Sequence, residues 1–379
     1  MSLILNEEQT MLRDSARDFL AEQSPVSALR ALRDTEDPMG FSRPLWEKFA
    51  TMGFSGMLVP EDMGGIGLGH VDAGVVMEQI GRNLVASPFL ASSIVAVTAL
   101  RCGGNAEQKE HWLPKLASGV AIATLAIDEV SKHQPSHVTV HGTFENNDLT
   151  LDGAKTFVLD AHVADLFIVA ARTSGTPVGS AGITLCLVNP RAPEVSVDRT
   201  VMADSHNAGR VRFHNLRVPA SEVLGTLHRG AEILTEALDA GRAAAAAELL
   251  GVADEAFSRT VEYLKQRRQF GRLIGEYQAL QHRAAVLYTE LEVTRAAVIN
   301  AQRHLDQRSE HAGLFVALAK ARAGKTATLA VQEAVQMHGG MGMTDEFDIG
   351  FFMKRVRVLQ ELFGDSNFHL NQLAQLRGY

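Results

Sequence analysis

The chain has 379 residues, 46% of them hydrophobic and 21% charged, which is enough apolar sequence to bury a large core or several packed layers. Its 36 Lys and Arg against 44 Asp and Glu give a formal charge of −8 without a basic cluster, so nucleic acid is not expected as a partner. Two cysteines, Cys102 and Cys186, exclude a disulfide framework or a cysteine-rich zinc site and favour a reducing cytoplasm.

The sequence also argues against several other classes of protein. No apolar run approaches the roughly 20 residues that cross a bilayer, so we expect neither a membrane anchor nor a signal peptide. The 14 histidines form no HExxH or HxH motif, and we expect no metal site. The absence of a GxSxG motif disfavours a hydrolase.

The first third of the chain, to about Gly119, has helical periodicity. Behind a candidate N-cap at Asn6, apolar residues recur at helical spacing: Met11, Leu12, Ala16, Phe19 and Leu20. Further helices are predicted at 44–52 and 71–83, separated by a glycine-rich loop at 58–69.

The rest of the chain changes character twice. From 121 to 225, short β-branched or alternating runs bounded by Gly, Asp, Asn and Pro are typical of antiparallel strands. Helical spacing then returns in three long segments, 232–266, 277–307 and 311–337. This order of α, β and α argues against a doubly wound nucleotide fold, and therefore against a nicotinamide dehydrogenase. The alanine run 243–247 predicts close packing of two helices.

One segment, QRRQFGRLIGEYQALQ at 266–281, has a basic helix end that breaks at Gly271 before a new helix starts. Such a turn can present Arg267, Gln269 and Phe270 to a ligand. The alternative is a basic C-terminus that interacts with the helix dipole, with Phe270 in the core.

A second segment, AVQMHGGMGMTDEFDIGFFMKR at 334–355, joins two helices through Gly339, Gly340 and Gly342. Glycines allow backbone amides to approach a phosphate or a flat ring closely. The alternative is a plain turn between helices. We expect the neighbouring His338 to pack or hydrogen-bond rather than to bind a metal.

Together these segments resemble the acyl-CoA dehydrogenases, flavoenzymes that desaturate acyl-CoA thioesters between the α and β carbons. The resemblance runs along nearly the whole chain, through VPEDMGGIGLG, NAEQKEHWLPKLASG, LDGAKTFV, VRFHNLRVPASEVLG, RRQFG and QMHGGMGMTDEF. It implies a mainly α fold with a central β domain: an N-terminal helical domain at 1–119, a middle antiparallel β domain at 120–225 and a C-terminal four-helix bundle at 226–379.

The resemblance also implies FAD as cofactor, an acyl-CoA substrate and an electron-transfer flavoprotein that accepts the electrons. The implied assembly is a homo-oligomer, a dimer or tetramer, or a hetero-tetramer with a second family member, because some members are built from two unlike subunits. The residues that match the family's FAD contacts are Arg267, Gln269, Phe270, Gln336, Gly339 and Gly340. Phe157 matches the aromatic residue that flanks the flavin, with Ser366 on the cofactor side, and Arg242 and Asp239 are assigned to the substrate side.

The sequence departs from the family pattern at two functional places. The family's TEPGAGSD loop is replaced by IDEVSKHQP at 127–135, which keeps Glu129. The family's YEGT segment, which holds the glutamate that removes the α proton, corresponds to FGDS at 363–366, so Gly364 takes the place of the glutamate. A second position that some members use for this base corresponds to Gly241.

Proton abstraction needs a carboxylate within hydrogen-bond reach of the α carbon, and donors for the thioester oxygen. We name Asp365 as the candidate base and the backbone amide of Gly364 as the candidate donor. The alternative for Asp365 is to cap the helix that begins at DSN.

Three functions follow from these alternatives. The first is an acyl-CoA dehydrogenase acting on CH–CH bonds, with Asp365 or another carboxylate as base. The second is a base-deficient partner subunit whose companion holds the glutamate, and the third is a flavin oxidase of the same fold that produces peroxide. We favour the first.

Overall fold

The structure is a computed structural model and describes residues 3–379. Its α-helices are α1 (Glu7–Gln23), α2 (Val26–Asp34), α3 (Arg43–Thr51), α4 (His70–Asn83), α5 (Val97–Gly103), α6 (Ala106–Ala117), α7 (Ala231–Gln266), α8 (Gln278–Asp306), α9 (Ala312–His338), α10 (Ile349–Glu361) and α11 (Ser366–Arg377). Its strands are β1 (Ala123–Ala126), β2 (His141–Glu145), β3 (Asp148–Leu159), β4 (Leu166–Arg172), β5 (Ile183–Val188), β6 (Val195–Val201), β7 (Asn207–Pro219), β8 (Val223–Leu224), β9 (Arg268–Gln269) and β10 (Arg272–Leu273).

The helices predicted from periodicity are confirmed, most of them to within two residues at each end. The predicted cap of α1 is also confirmed, since Asn6 Oδ1 accepts from the N–H of Gln9 at 2.8 Å. The side chain of Gln9 returns a bond to the N–H of Asn6 at 3.2 Å, which completes a capping box.

The chain forms two compact units, and each combines segments that are far apart in the sequence. The helical unit takes the residues up to Asp34, His70–Val85 and Arg242–Tyr379, and the sheet unit takes Thr35–Gly69 and Ala86–Gly241. The units therefore cut across the three domains expected in chain order, whose boundaries stay a prediction.

In the helical unit α9 packs against α8, α10 and α11, and α4 packs against α1 and α8. Helices α4 and α7 pass each other at two glycines. A Cβ at Gly81 would lie 2.3 Å from the carbonyl oxygen of Glu248, and one at Gly251 would lie 1.9 Å from that of Glu78. Ala243–Ala247 is buried beside this crossing, so the predicted close packing of two helices is confirmed.

In the sheet unit the strand order is β6-β7-β3-β2-β4-β5-β8, and β1 pairs with β4. The predicted antiparallel pairing is right for most of the sheet, including β4 with β5, but wrong on the other side of β4, which runs parallel to β1 and at one position to β2. The physical reason is the connection: the chain leaves β1, forms the β2–β3 hairpin and returns to β4 by a crossover instead of a tight turn. The hydrophobic core of the sheet unit includes Val140, Leu151, Phe167, Val211 and Phe213.

Between residues 3 and 379, no helix is long and apolar enough to cross a membrane. Over the same residues, no group of three or more His, Cys, Asp or Glu side chains is placed to hold a metal ion.

Candidate active site

The loop between α10 and α11 holds the position at which the resemblance places the catalytic glutamate. Phe363 has a φ of +57° and Gly364 a φ of +107°, in a region that L side chains rarely adopt. A Cβ at Gly364 would lie 2.4 Å from Cδ1 of Phe368. The N–H of Gly364 donates to the carbonyl of Glu361 at 3.2 Å, so its predicted role as donor to a thioester requires an exchange of this bond and stays a prediction.

A buried lysine satisfies the carbonyls at this loop. Lys320, on α9, is 1% exposed, and its Nζ donates to the carbonyl oxygens of Leu359 at 3.0 Å, Gln360 at 3.3 Å and Gly364 at 3.1 Å. The last carbonyls of a helix have no partner within the helix, so the amino group of Lys320 supplies hydrogen-bond donors that the end of α10 lacks.

A second cation, Arg242 on α7, also holds the loop. Its Nε donates to the carbonyl of Phe363 at 3.2 Å, and its guanidinium lies 5.4 Å from the ring centroid of Phe368. Burial, followed by the nearby charge of Arg242, lowers the pKa of Lys320 to about 7. The arginine assigned to the substrate side thus orders the backbone of the loop, and its substrate role stays a prediction.

Asp365 is the N-cap of α11. Its Oδ1 accepts from the N–H of Phe368 at 2.8 Å, which confirms the capping alternative. A base role for Asp365 would have to use its other carboxylate oxygen or give up the cap, and this role stays a prediction.

The buried hydroxyl of Ser366 donates to the carbonyl of Ala321 at 3.1 Å. The predicted place of Ser366 on the cofactor side stays a prediction.

The other family position for the base is Gly241, which lies buried on α7 in the sheet unit. Asp239, two residues earlier, is 7% exposed. Neither Gly241 nor Gly364 supplies a carboxylate, and the predicted substrate contact of Asp239 stays a prediction.

The predicted turn after α7 is a hairpin of β9 and β10. Arg272 pairs with Gln269 and Leu273 with Arg268, and the two tip residues, Phe270 and Gly271, have φ values of +55° and +84°. Phe270 is 90% exposed, so its alternative as a core residue is wrong. The hairpin presents an aromatic ring beside the exposed side chains of Arg267 and Gln269.

The predicted glycine turn follows α9. Gln336 is exposed on the last turn, Gly339 has a φ of +61°, and a Cβ at Gly339 or Gly340 would meet nothing within 4 Å. This exposed backbone is open to a flat or anionic group. His338 is buried, its Nδ1 lies 2.7 Å from the carbonyl of Ala334 and its ring is stacked, which confirms its expected packing role.

In the sheet unit, Phe157 lies at a register shift between β3 and β7. Its φ is +55° and its side chain is 37% exposed, so the irregularity leaves the ring partly open to solvent. An exposed ring at this strand position fits its predicted place beside a flavin.

The loop that replaces the family's TEPGAGSD is anchored by a buried ion pair. Lys155 Nζ lies 2.6 Å from Oε1 of Glu129, which also accepts from the N–H of Val140 at 3.0 Å, while Oε2 accepts from the N–H of Thr139 at 2.6 Å. Burial alone would raise the pKa of Glu129, but the charge and hydrogen bond of Lys155 hold that pKa below its ordinary value. Glu129 therefore anchors the loop.

Sequence reasoning missed both buried lysines, Lys155 and Lys320. A signal for Lys320 was present, because it shares a helical stripe with Val316, Ala323 and Ala327, all of which are buried. A lysine in such a stripe has to find acceptors inside the protein.

Family models match three segments of the chain: the acyl-CoA dehydrogenase N-terminal domain at residues 6–120, the middle domain at 132–216 and the C-terminal domain at 228–376. The chain belongs to the acyl-CoA dehydrogenase family. It is an oxidoreductase of the acyl-CoA dehydrogenase type, and the expected family and three-part fold are confirmed.

Similar proteins cover nearly the whole chain. This chain is 31% identical over 373 residues to the 3-(aryl)acrylate reductase of Clostridium sporogenes. The alignment covers 96% of this chain and 97% of that protein. This chain is 28% identical over 374 residues to the caffeyl-CoA reductase-Etf complex subunit CarC of Acetobacterium woodii, with 96% of each chain covered.

Two solved structures of this acyl-CoA dehydrogenase fold align over the full length. Butyryl-CoA dehydrogenase from Megasphaera elsdenii has a TM-score of 0.90 at 25% identity, with 100% of both chains covered. The ChsE4-ChsE5 complex from Mycobacterium tuberculosis gives the same TM-score, identity and coverage.

Proposed function

We propose that this chain is an FAD-dependent acyl-CoA dehydrogenase that desaturates an acyl-CoA thioester between its α and β carbons and passes the electrons to an electron-transfer flavoprotein. The full-length match of fold and family carries the proposal. A reducing compartment such as the cytoplasm is part of it, supported by the two cysteines, Cys102 and Cys186, which form no disulfide.

The exposed hairpin and glycine turn fit FAD. Arg267 offers a charge-assisted bond to a diphosphate, Phe270 offers a ring face, and Gly339 and Gly340 offer backbone without side chains in the way. When bound, FAD supplies the acceptor for the hydride that leaves the β carbon. The β9–β10 hairpin leaves the side chain of Phe270 90% exposed, so this hairpin is suited to reach a cofactor shared with another subunit. We therefore include a dimer or tetramer in the proposal.

The proposed electron acceptor rests on a relative. The similar protein of Acetobacterium woodii is a subunit of a caffeyl-CoA reductase-Etf complex and aligns over 96% of this chain. A flavoprotein of this kind is therefore the partner we propose for electron transfer.

A second candidate function is favoured by the loop between α10 and α11. Gly364 and Gly241 bear no carboxylate, and one oxygen of Asp365 is used as a helix cap. In this proposal the chain is the base-deficient subunit of a hetero-tetramer, and a companion family member supplies the glutamate. The similar ChsE4-ChsE5 structure is a complex of two named chains, which supports such a mixed assembly.

The visible spectrum of the purified chain separates the two proposals. A yellow protein whose flavin band bleaches anaerobically with one of a panel of acyl-CoA thioesters has a working base and is a dehydrogenase alone. A colourless protein, or a yellow one that stays oxidised with every thioester but bleaches once a glutamate-bearing family member is added, is a partner subunit. Peroxide formation in air at the rate of bleaching would identify an oxidase instead.

A further inference from the structure

The glycine turn, Gly339–Met343, buries no side chain of its own. A Cβ at Gly339 or Gly340 would meet nothing within 4 Å, and the side chain of Met343 is 76% exposed. Gly342, the buried residue of the turn, has no side chain to pack. The position of the turn therefore depends largely on the residues at its two ends.

These two ends are anchored in different ways. The chain enters the turn from His338, which is buried at the end of α9. At the other end, the N–H and the hydroxyl of Thr344 both donate to the carbonyl of Met341, at 3.2 and 2.9 Å. The next residue, Asp345, is thus coupled to the turn through Thr344.

Two arginines of α2 bind Asp345. Arg33 donates to its two carboxylate oxygens at 2.7 and 2.8 Å, and Arg30 donates to one of them at 3.1 Å. Arg30 also donates to Asp348 at 3.1 Å. A bidentate pair of guanidinium and carboxylate fixes direction as well as distance. We call Arg30, Arg33 and Asp345 the clamp.

An aromatic ring restricts the two arginines of the clamp. The guanidinium groups of Arg30 and Arg33 lie 4.7 and 4.8 Å from the ring centroid of Phe351, which is buried on α10. Because the ring already orders these side chains, they lose less freedom on binding Asp345 than arginines free in solvent would. This distinguishes the clamp from an ordinary surface ion pair.

The clamp keeps its charge at neutral pH. The hydrogen bonds of Arg33 lower the pKa of Asp345 to about 2. The carboxylate is therefore ionised wherever the protein is expected to work.

We propose that the clamp positions the glycine turn for FAD. By fixing the end of the turn, it holds the open backbone of Gly339 and Gly340 where the cofactor binds. Arg30, Arg33 and Asp345 are thus positioning residues rather than cofactor contacts. This inference rests on the proposed FAD-binding function of the turn.

The sign of the effect separates positioning from simple electrostatics. FAD carries a diphosphate, which a nearby carboxylate repels. Removal of the charge of Asp345 would therefore strengthen FAD binding if the carboxylate acted only through space. The same change weakens FAD binding if the carboxylate positions the turn.

The first measurement is the dissociation constant of FAD for the full-length chain and its variants, by fluorescence titration. Asp345→Asn should weaken FAD binding about threefold to tenfold, and Asp345→Glu, which keeps the carboxylate, should restore most of the affinity. Glu346→Gln is the matched control, since Glu346 is an exposed carboxylate of the same loop. It should leave the affinity unchanged or slightly higher.

The second measurement is hydrogen exchange at residues 339–344 in the same proteins freed of FAD, followed by mass spectrometry. Asp345→Asn should raise the exchange rate of the hydrogen-bonded amides there by at least about threefold. Asp345→Glu and Glu346→Gln should leave that rate unchanged. This measurement does not depend on cofactor binding.

Arg33→Gln tests the other side of the pair. Its effect on FAD affinity should not add to that of Asp345→Asn, because both variants break the same contact. Circular dichroism identifies any variant that fails to fold, and either single variant then suffices with its control.

Three results would each overturn the proposal: unchanged exchange in Asp345→Asn, FAD binding in Asp345→Asn as tight as in the unaltered chain or tighter, or strictly additive losses with Arg33→Gln. If the unaltered chain itself binds no FAD, the proposed function fails and the cofactor role of the clamp fails with it. Loss of affinity in the clamp variants alone supports both.

Discussion

The ring of Phe368 occupies the volume that a side chain at position 364 would need. Cδ1 of Phe368 would lie 2.4 Å from a Cβ at Gly364, and the φ of +107° there is one that L side chains rarely adopt. The packing of α11 thus leaves no room for a side chain at position 364.

This relationship predicts the outcome of Gly364→Ala. The combined strain and clash should lower the free energy of unfolding by about 1–3 kcal/mol, measured by urea denaturation. Phe368→Ala removes the clash but not the backbone strain, so the double variant should lose less than the sum of the two single losses.

Gly340→Ala is the matched control, because a Cβ there meets nothing within 4 Å. In protein freed of FAD, where the proposed cofactor contact of Gly340 plays no part, it should change the free energy of unfolding by less than about 0.5 kcal/mol. Strictly additive losses for Gly364→Ala and Phe368→Ala would contradict the contact.

Asp365→Asn separates capping from catalysis. Asparagine caps helices about as well as aspartate, so the free energy of unfolding should hardly change, whereas Asp365→Ala should cost about 1 kcal/mol. If Asp365 is the base, Asp365→Asn abolishes flavin bleaching by acyl-CoA while FAD stays bound. Unchanged bleaching in this variant would remove Asp365 as the base.

The buried Lys320 predicts a pH dependence of stability. Its pKa is about 7 in the folded chain and near 10.5 when unfolded, so unfolding takes up a proton between these values. This group's contribution to the free energy of unfolding therefore rises with pH across that window, by up to about 1.4 kcal/mol per pH unit.

The measurement is urea denaturation of the chain and of Lys320→Met at pH 7 and pH 9. The difference between the two proteins should grow in favour of lysine by about 2 kcal/mol between these pH values. A difference that stays constant would show that Lys320 keeps its proton throughout.

Arg267→Ala should weaken FAD retention. A charge-assisted contact to a diphosphate is worth about 1.5–3 kcal/mol, or roughly 10- to 150-fold in the dissociation constant of FAD. Arg377→Ala, at an exposed arginine near the end of α11, serves as control. Retention of a full complement of FAD by Arg267→Ala through gel filtration would count against the proposed contact.

Much of this protein could be predicted from local sequence. The long helices, the Asn6 capping box and the turn at Phe270 and Gly271 follow from periodicity, cap residues and turn residues that act over a few positions. The cap at Asp365 followed in the same way, because a DSN segment before an apolar run is a local signal.

Other features depend on segments that are distant in sequence. The parallel pairing of β4 with β1 joins residues about 40 positions apart, and the bonds of Lys320 to the loop at Gly364 join α9 to the end of α10. No local pattern specifies which carbonyls a buried lysine will reach, because that depends on how helices pack.

The sequence by itself determined the helices, the order of the α and β regions, the family and the absence of a carboxylate at positions 241 and 364. Only the tertiary structure decided that Phe368 fills the space beside Gly364 and that Lys320 and Arg242 hold the loop. The physical reason is that propensity and periodicity act between near neighbours, whereas packing, burial and charge pairing act between residues that only the fold brings together.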